Sequence, residues 1–575
     1  MSPRYLHLEG QNPHVLARET AASAAEASET GEVPVVVVPA AAADTAPASE
    51  ARLVRSSAIV AAGTLLSRVT GLVRVVALTY AVGSLALADA YNLANTTPNI
   101  VYELLLGGVL SATLVPVFVD RFEKGADDDV AAVVTTATAT LLVLTIAGVL
   151  LAPAIFAVYG RPDLAPAGVP LLRLLLPQML FYGFDAMGSA VLNAKRRFAV
   201  AAFNPVANNI VASAALIWFG ATVKSNDLSA VTTSTGALWL LGAGTTAGIV
   251  AMSIPLLPAI KRAGVRLRWR LEPRNGAVRQ VLRRAGWTLG YVAANQIGLT
   301  IVLRIAAAAD TGVVSSYTYA FIFFQLPHGL VAVSIMTTFI PELASAWGKH
   351  DLDRFRDRFG SGLRLLWTGI VPAAAGYAVI AHPLIRLLLE RGHFDAGAAD
   401  SAGDVLVTMT LGLPGFSGYL FALRGFYAQG DTKTPFLLNI VENVLQVGLT
   451  AVLVATMSSP FVALGVAYAA AYSVAAVVAL VVLHRRVGRV LDARLTGTVV
   501  RLAGAGAAMV AAMLVVRSFV VPGSAPDLLS VPVEIAAGGA VFVGAALALR
   551  VKELRDLVTA VTGRGSRARG AGAPT

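Results

Sequence analysis

Fourteen separate apolar runs, most of them near or above the roughly 20 residues that cross a bilayer as a helix, leave this chain few folds to choose from. Inside lipid every backbone N–H and C=O must be satisfied within its own segment, so such runs become helices. They fall at about 57–83, 88–119, 130–158, 167–193, 198–222, 234–260, 281–306, 313–346, 361–389, 402–428, 434–457, 460–484, 496–518 and 530–550. Pro98 and Pro327 interrupt the long second and eighth runs. Hydrophobic residues make up 56% of the chain and charged ones 14%, with a mean hydropathy of +0.70. A soluble domain would carry roughly 25% charged residues. The expected class is an all-α polytopic membrane protein.

The formal charge of +11 would suit nucleic acid, but its positions do not. Basic residues gather in short loops: Arg121 and Lys124, Lys195 to Arg197, and nine between Lys261 and Arg284. Lys349, Lys433, Arg485 and Arg486 and the 551–575 tail continue the same alternation. By the positive-inside rule these loops, and both termini, face the cytoplasm, which requires an even number of spans. No nucleic-acid partner is expected. The chain has no cysteine and its seven histidines show no ligand spacing, so neither a metal site nor a cofactor is expected.

Residues 1–54 read as a disordered cytoplasmic tail. Motifs then echo between the halves. Leu174-Leu-Leu-Pro177 is matched by Leu411-Gly-Leu-Pro414, and Ala112-Thr-Leu-Val-Pro116 by Thr337-Thr-Phe-Ile-Pro341. The order is the same each time, which predicts two six-helix lobes, 55–260 and 281–484, in parallel repeat around a central cavity. A basic linker, 261–280, joins them. Two extra helices, 485–550, and a basic cytoplasmic tail, 551–575, follow.

Within the first run stands Ser67-Arg-Val-Thr-Gly-Leu-Val-Arg74. Two arginines at bilayer depth cost about 5–7 kcal/mol together on insertion scales. At 100° per residue Thr64, Ser67, Arg68, Thr70, Gly71 and Arg74 share an arc of about 160°. One face is therefore cationic and lined by small residues, as in a helix bordering a wet cavity that receives an anion.

That run, followed by Ala88-Asp-Ala-Tyr91, Pro98-Asn99, Ser111-Ala-Thr-Leu-Val-Pro116, Phe203-Asn-Pro205, Gln325-Leu-Pro327 and Phe426-Tyr-Ala-Gln-Gly-Asp-Thr-Lys-Thr-Pro435, resembles the MurJ (MviN) lipid II flippases over about residues 55–550. The resemblance implies the multidrug/oligosaccharidyl-lipid/polysaccharide exporter superfamily, two lobes around a V-shaped cavity, and alternating access without catalytic chemistry. It implies lipid II, the undecaprenyl-pyrophosphate-linked peptidoglycan precursor, as the substrate moved from the inner to the outer leaflet. Arg68 and Arg74 match cavity arginines of that family that engage the pyrophosphate, and Asp89 matches an important acid. The chain departs from the family at Tyr102-Glu103 and at Phe321-Ile-Phe-Phe324, where arginines are usual. Its Ala-, Gly- and Arg-rich usage fits an actinobacterial type.

Candidate substrate-binding residues are thus Ser67, Arg68, Arg74, Asp89 and Asn99. The alternative for the arginines is neutralisation by Asp89 and Glu103, and for Asp89 a helix cap or arginine pair. Asn439, Glu442 and Asn443, with Asp185, are candidates for an ion or coupling site for Na+ or H+, the membrane potential being the other drive. Interhelical hydrogen bonding is the alternative. Gly71, Gly107 and Gly108 are hinge candidates, or close-packing positions. Partners would be lipid II, membrane lipids and cell-wall synthesis or division proteins. Two other functions stay open: export of another polyprenyl-linked glycan or a drug, and a non-transporting scaffold for cell-wall synthesis.

Overall fold

The computed structural model describes residues 47–106, 114–265, 268–520 and 527–561, and every regular element among them is helical. The first half contributes α1 (Pro47–Val82), α2 (Ala86–Leu106), α3 (Val115–Glu123), α4 (Asp127–Leu150), α5 (Ala152–Ala157), α6 (Ala165–Leu175), α7 (Gln178–Ala194), α8 (Phe198–Thr222), α9 (Ser229–Thr232), α10 (Thr235–Ser253) and α11 (Leu256–Arg262). The second half contributes α12 (Gly276–Ala309), α13 (Val313–Pro327), α14 (Val333–Gly348), α15 (Leu352–Leu389), α16 (Ala396–Thr410), α17 (Leu413–Tyr427), α18 (Lys433–Thr456) and α19 (Pro460–Val487). A π turn, His328–Ala332, joins α13 to α14, and α20 (Ala493–Val515), α21 (Asp527–Ala548) and α22 (Lys552–Val561) end the chain.

Among the described residues twelve elements are long and apolar enough to cross a membrane, or thirteen if α16 and α17, bent by 51°, form one span. The expected second span falls on α2, then residues 107–113, then α3. The 107–113 segment, with the hinge candidates Gly107 and Gly108, lies outside the described residues. Helix α2 alone is too polar to be counted, carrying Asp89, Asn92, Asn95, Asn99 and Glu103.

Several boundaries differ from those read in the sequence. Helix α1 begins at Pro47 rather than after 54, because Pro47-Ala-Ser-Glu puts proline in a first turn ahead of good helix formers. Helix α12 begins at Gly276, inside the expected linker, where the Asn275 side chain accepts the Ala277 amide as an N-cap. The expected tail holds α22, fastened to α15 by the Arg364–Glu553 ion pair.

Helix α1 packs on α8 and α8 on α10, while α2 packs on α6 and α7. In the second lobe α17 and α18 pack on α19, α12 on α18, and α15 and α13 on α16. The pair α20 and α21 packs together and against α15. Small residues set several of these contacts, as expected where lipid supplies no hydrophobic drive between helices. At the bend between α16 and α17, a Cβ on Gly412 would lie 2.4 Å from the Ala469 Cα on α19. Gly412→Ala is expected to cost about 1–3 kcal/mol through forced separation of these helices, read as a lower Tm in detergent.

The basic loops lie at one end, called here the basic end. There the linker is held by the acidic start of α4. Arg270 pairs with Asp128 at 3.3 Å, and its amide donates to the Thr135 hydroxyl at 3.2 Å. Arg121 pairs with Asp129 at 3.2 Å and donates to Gln280 at 3.2 Å.

At the same end Asp431 fastens the turn before α18. Its carboxylate accepts the Lys433 and Thr434 amides at 2.9 and 3.0 Å and the Thr434 hydroxyl at 2.7 Å, and pairs with Arg486. Burial alone would raise the Asp431 pKa, but the Thr434 and Arg486 contacts outweigh it and hold the group below its ordinary value. The stability it contributes is therefore full above the unfolded carboxylate pKa, about 3.9, and is lost as pH falls through the lower folded value. Asp431→Asn is expected to lower Tm at neutral pH by the equivalent of about 1–2 kcal/mol and to flatten the acid limb of a Tm–pH curve.

Candidate functional site

Helix α1 presents its polar stripe to α8 and to the space between the lobes. Asn209 of α8 donates to the Ser67 carbonyl and the Thr70 hydroxyl, both at 3.1 Å, which fixes the rotation of α1. Gly71 lies beside the same amide, 3.5 Å from where its Cβ would be. The stripe thereby places Arg68 and Arg74 six residues, about 1.7 turns, apart. Arg74 is half-buried, its Nε has no hydrogen-bond partner, and the hydroxyls of Tyr91, Tyr102 and Tyr182 lie within its electrostatic range. Arg68 is exposed and reaches the opposite lobe. A Cβ on Gly329 in the π turn would lie 3.1 Å from Arg68 Nη1, so glycine there lets the guanidinium rest on backbone.

Neither arginine enters an ion pair among the described residues, and the expected neutralisation by Asp89 or Glu103 is not formed. Their guanidinium donors are thus available to an anion. Planar forks of this kind match phosphate oxygens two at a time. Asn99 lies near by, accepting from Tyr182 at 3.1 Å, and Tyr182 packs on Tyr102 at 4.5 Å between ring centres.

Asp89 is placed elsewhere. It is fully buried at the end away from the basic loops, where the lobes meet. Helix α13 begins after Gly312, in the left-handed region at φ 85° and with no side chain to cap the helix. Asp89 caps it from the other lobe, accepting the Gly312 amide at 2.7 Å and the Ser315 amide and hydroxyl at 2.9 and 2.8 Å. A carboxylate at a helix N-terminus also meets the positive end of its dipole.

Further cross-lobe contacts join it. The Tyr319 hydroxyl donates to the Gly83 carbonyl at 3.0 Å. Arg161 of the first lobe donates to the Ala307 carbonyl at 2.5 Å, and Arg304 of the second donates to the Val158 carbonyl at 2.6 Å. Each arginine satisfies a carbonyl left over near a helix end of the opposite lobe. The far end is therefore sealed by helix caps supplied across the interface. The acceptor of Arg304 becomes visible only when the lobes are joined.

Asp185, expected with the second-lobe cluster, lies instead in the first lobe, buried and accepting from Asn204 at 2.9 Å, within electrostatic range of the Tyr102 and Tyr182 hydroxyls as Arg74 is. The second-lobe cluster is drawn together tightly. Asn295 Oδ1 accepts from Asn439 at 2.7 Å and from Asn443 at 2.9 Å, and Asn443 donates to Glu442 at 3.1 Å. Glu442 Oε1 and Asn439 Oδ1 are buried without a well-formed hydrogen bond, with the Tyr472 and Tyr419 hydroxyls close to Glu442 and Asn439. Gly298 makes room, since a Cβ there would fall 2.0 Å from Asn443 Oδ1. Asn295 was not singled out in the sequence, although an amide pair, Asn295-Gln296, inside an apolar run was the available signal. No group of three His, Cys, Asp or Glu side chains suited to a metal occurs among the described residues.

Comparison with known proteins agrees with this architecture. A family model described as "Lipid II flippase MurJ" matches residues 78–530. The probable lipid II flippase MurJ of Rhizobium meliloti (strain 1021) is 30% identical over 481 residues, covering 80% of this chain and 86% of the relative. That of Haemophilus influenzae is 29% identical, covering 67% and 78%. Among solved structures, lipid II flippase MurJ in an inward closed conformation superposes with a TM-score of 0.72 at 20% identity, over 87% of this chain and 99% of that one. An inward-facing multidrug resistance MATE family transporter of the MOP superfamily gives 0.62 at 13% identity, over 74% and 95%. Those two likenesses speak to the fold alone. Matched over residues 78–530 by the family model and over most of its length by a relative at 30% identity, the chain belongs to the MurJ family of lipid II flippases.

Proposed function

We propose that this chain carries lipid II from the inner to the outer leaflet of the bacterial cytoplasmic membrane by alternating access, without making or breaking bonds. The observation that carries the reading is the pair of unpaired arginines, Arg68 and Arg74, on the polar face of α1 between the lobes. Their donors suit the diphosphate, with Ser67 and Asn99 as neighbours for the sugar. The positive-inside rule puts the basic end, and both termini, in the cytoplasm. The cleft then loads from the cytoplasmic side while the Asp89 cap holds the outer side shut, and the polyprenyl tail stays in lipid. Breaking the cap and closing the basic end would deliver the head group outward.

Asn295, Asn439, Glu442 and Asn443 form the coupling site in this reading, taking Na+ or H+. What supports a bound cation is that Glu442 Oε1 and Asn439 Oδ1 are buried with only the nearby Tyr472 and Tyr419 hydroxyls beside them and no well-formed hydrogen bond. Glu442→Gln is expected to leave lipid II binding within about twofold while removing the dependence of transport on an imposed ion gradient. Gradient-dependent transport that persists in this variant would exclude the site.

Depletion and rescue in the native host tests the function. Precursor is expected to accumulate on the inner face and to be relieved by the wild-type copy. An unchanged distribution would make another lipid-linked glycan the cargo.

A further inference from the structure

Glu103 is left over from this account. It lies in α2 at bilayer depth, is exposed, and makes no hydrogen bond or ion pair among the described residues. An acid there costs about 2.5–3.5 kcal/mol on insertion scales unless it faces water or a partner. At 100° per residue Asp89, Asn92, Thr96, Asn99 and Glu103 share an arc of about 80° on α2. The direction of that face is fixed by its far end, where Asp89 caps α13 and Asn92 lies beside Tyr319 of the second lobe. Further along the same face Asn99 meets Tyr182 of its own lobe, and Glu103 follows one turn nearer the basic end, with its side chain exposed. It shares this space with Arg74 and with the more deeply buried Asp185, because all three are within electrostatic range of the Tyr102 hydroxyl, and of the two acids Asp185 already accepts from Asn204.

The cleft is thus bipolar, with cations on α1 and an unpaired anion on α2. A carboxylate beside a diphosphate site repels the ligand unless the ligand also carries a positive charge to meet it. We infer that Glu103 is a specificity-determining residue that receives a primary ammonium on the peptide part of the head group, while Arg68 and Arg74 hold the diphosphate. The cargo class is then a zwitterionic head group with a free amine, and an acylated amine is disfavoured. This inference rests on the lipid II reading and narrows it.

The test uses the full chain reconstituted in vesicles. Transport of a lipid-linked precursor with a free peptide side-chain amine is compared with that of the same precursor N-acetylated at that amine. The wild type is expected to favour the free amine by roughly tenfold, the worth of one charge-assisted contact in a hydrated cleft. Glu103→Gln is expected to bring the two rates within about twofold of each other, and Glu103→Lys to slow the free-amine cargo below the acetylated one. A structural role for Glu103 would instead slow both cargoes alike in every variant, and that result overturns the inference. So does a wild type indifferent to acetylation. If the wild type moves neither cargo, the flippase reading itself fails and the inference falls with it.

Discussion

Arg68→Ala/Arg74→Ala is expected to fold and insert normally yet to bind lipid II at least about a hundredfold more weakly than the wild type. Each arginine offers charge-assisted hydrogen bonds worth about 1.5–3 kcal/mol, so removing both costs roughly 3–6 kcal/mol of binding. At 1.4 kcal/mol per factor of ten that is about two to four decades. Folding is spared because neither side chain has an ion partner among the described residues to be left unpaired, and removing a charge from bilayer depth favours insertion. Arg68 has the larger structural freedom, being exposed beside Gly329, whereas Arg74 is half-buried within electrostatic range of three tyrosine hydroxyls. The single Arg74→Ala change should therefore weaken binding more than Arg68→Ala. Titration of the reconstituted variants with lipid II reads both effects, and equal affinity for wild type and double variant would remove the arginines from the site.

Asp89→Ala is expected to open the far end of the cleft. The substitution strips the acceptor from the Gly312 amide and from the Ser315 amide and hydroxyl, all in a fully buried interface. Leaving two buried amides unsatisfied costs about 2–6 kcal/mol, and that cost falls only on the sealed state, since water reaches them when the lobes separate. A shift of that size turns a mainly sealed population into a mainly open one. Asp89→Asn keeps one acceptor oxygen and should have a smaller effect. The cysteine-free chain makes the measurement direct, because spin labels at Leu85 and Thr311, both exposed, need no background removed. Asp89→Ala should lengthen the distance between them. A distribution identical to the wild type would mean that the Tyr319, Arg161 and Arg304 contacts hold the seal unaided.

What the sequence makes legible follows from what lipid enforces. Apolar runs such as Pro460–Val487 must be helical and nearly full length, so spans are visible without any knowledge of packing. The rotation of α1 is legible for the same reason, since Arg68, Thr70 and Arg74 have only one polar direction in which to point. Asp89 is different. The amides that donate to it lie 223 and 226 residues away, and nothing local to Ala88-Asp-Ala marks it as the cap of α13. Arg161 and Arg304 are hidden likewise, each meeting a backbone carbonyl 146 residues distant, and carbonyls leave no trace in the sequence. Asn295 belongs to a middle case. Its amide inside an apolar helix is visible, but its convergence with Asn439 and Asn443 depends on the packing of α12 against α18. Contacts between lobes are therefore where sequence reasoning ends, and in an alternating-access protein those are the contacts that change.

The most direct measurement is lipid II translocation in vesicles containing only this chain, wild type or Arg68→Ala/Arg74→Ala, with cargo counted on each face. The wild type should move lipid II across the bilayer, and the double variant, present in equal amount, should fall to the level of protein-free vesicles. Translocation by the double variant at the wild-type rate would contradict the account.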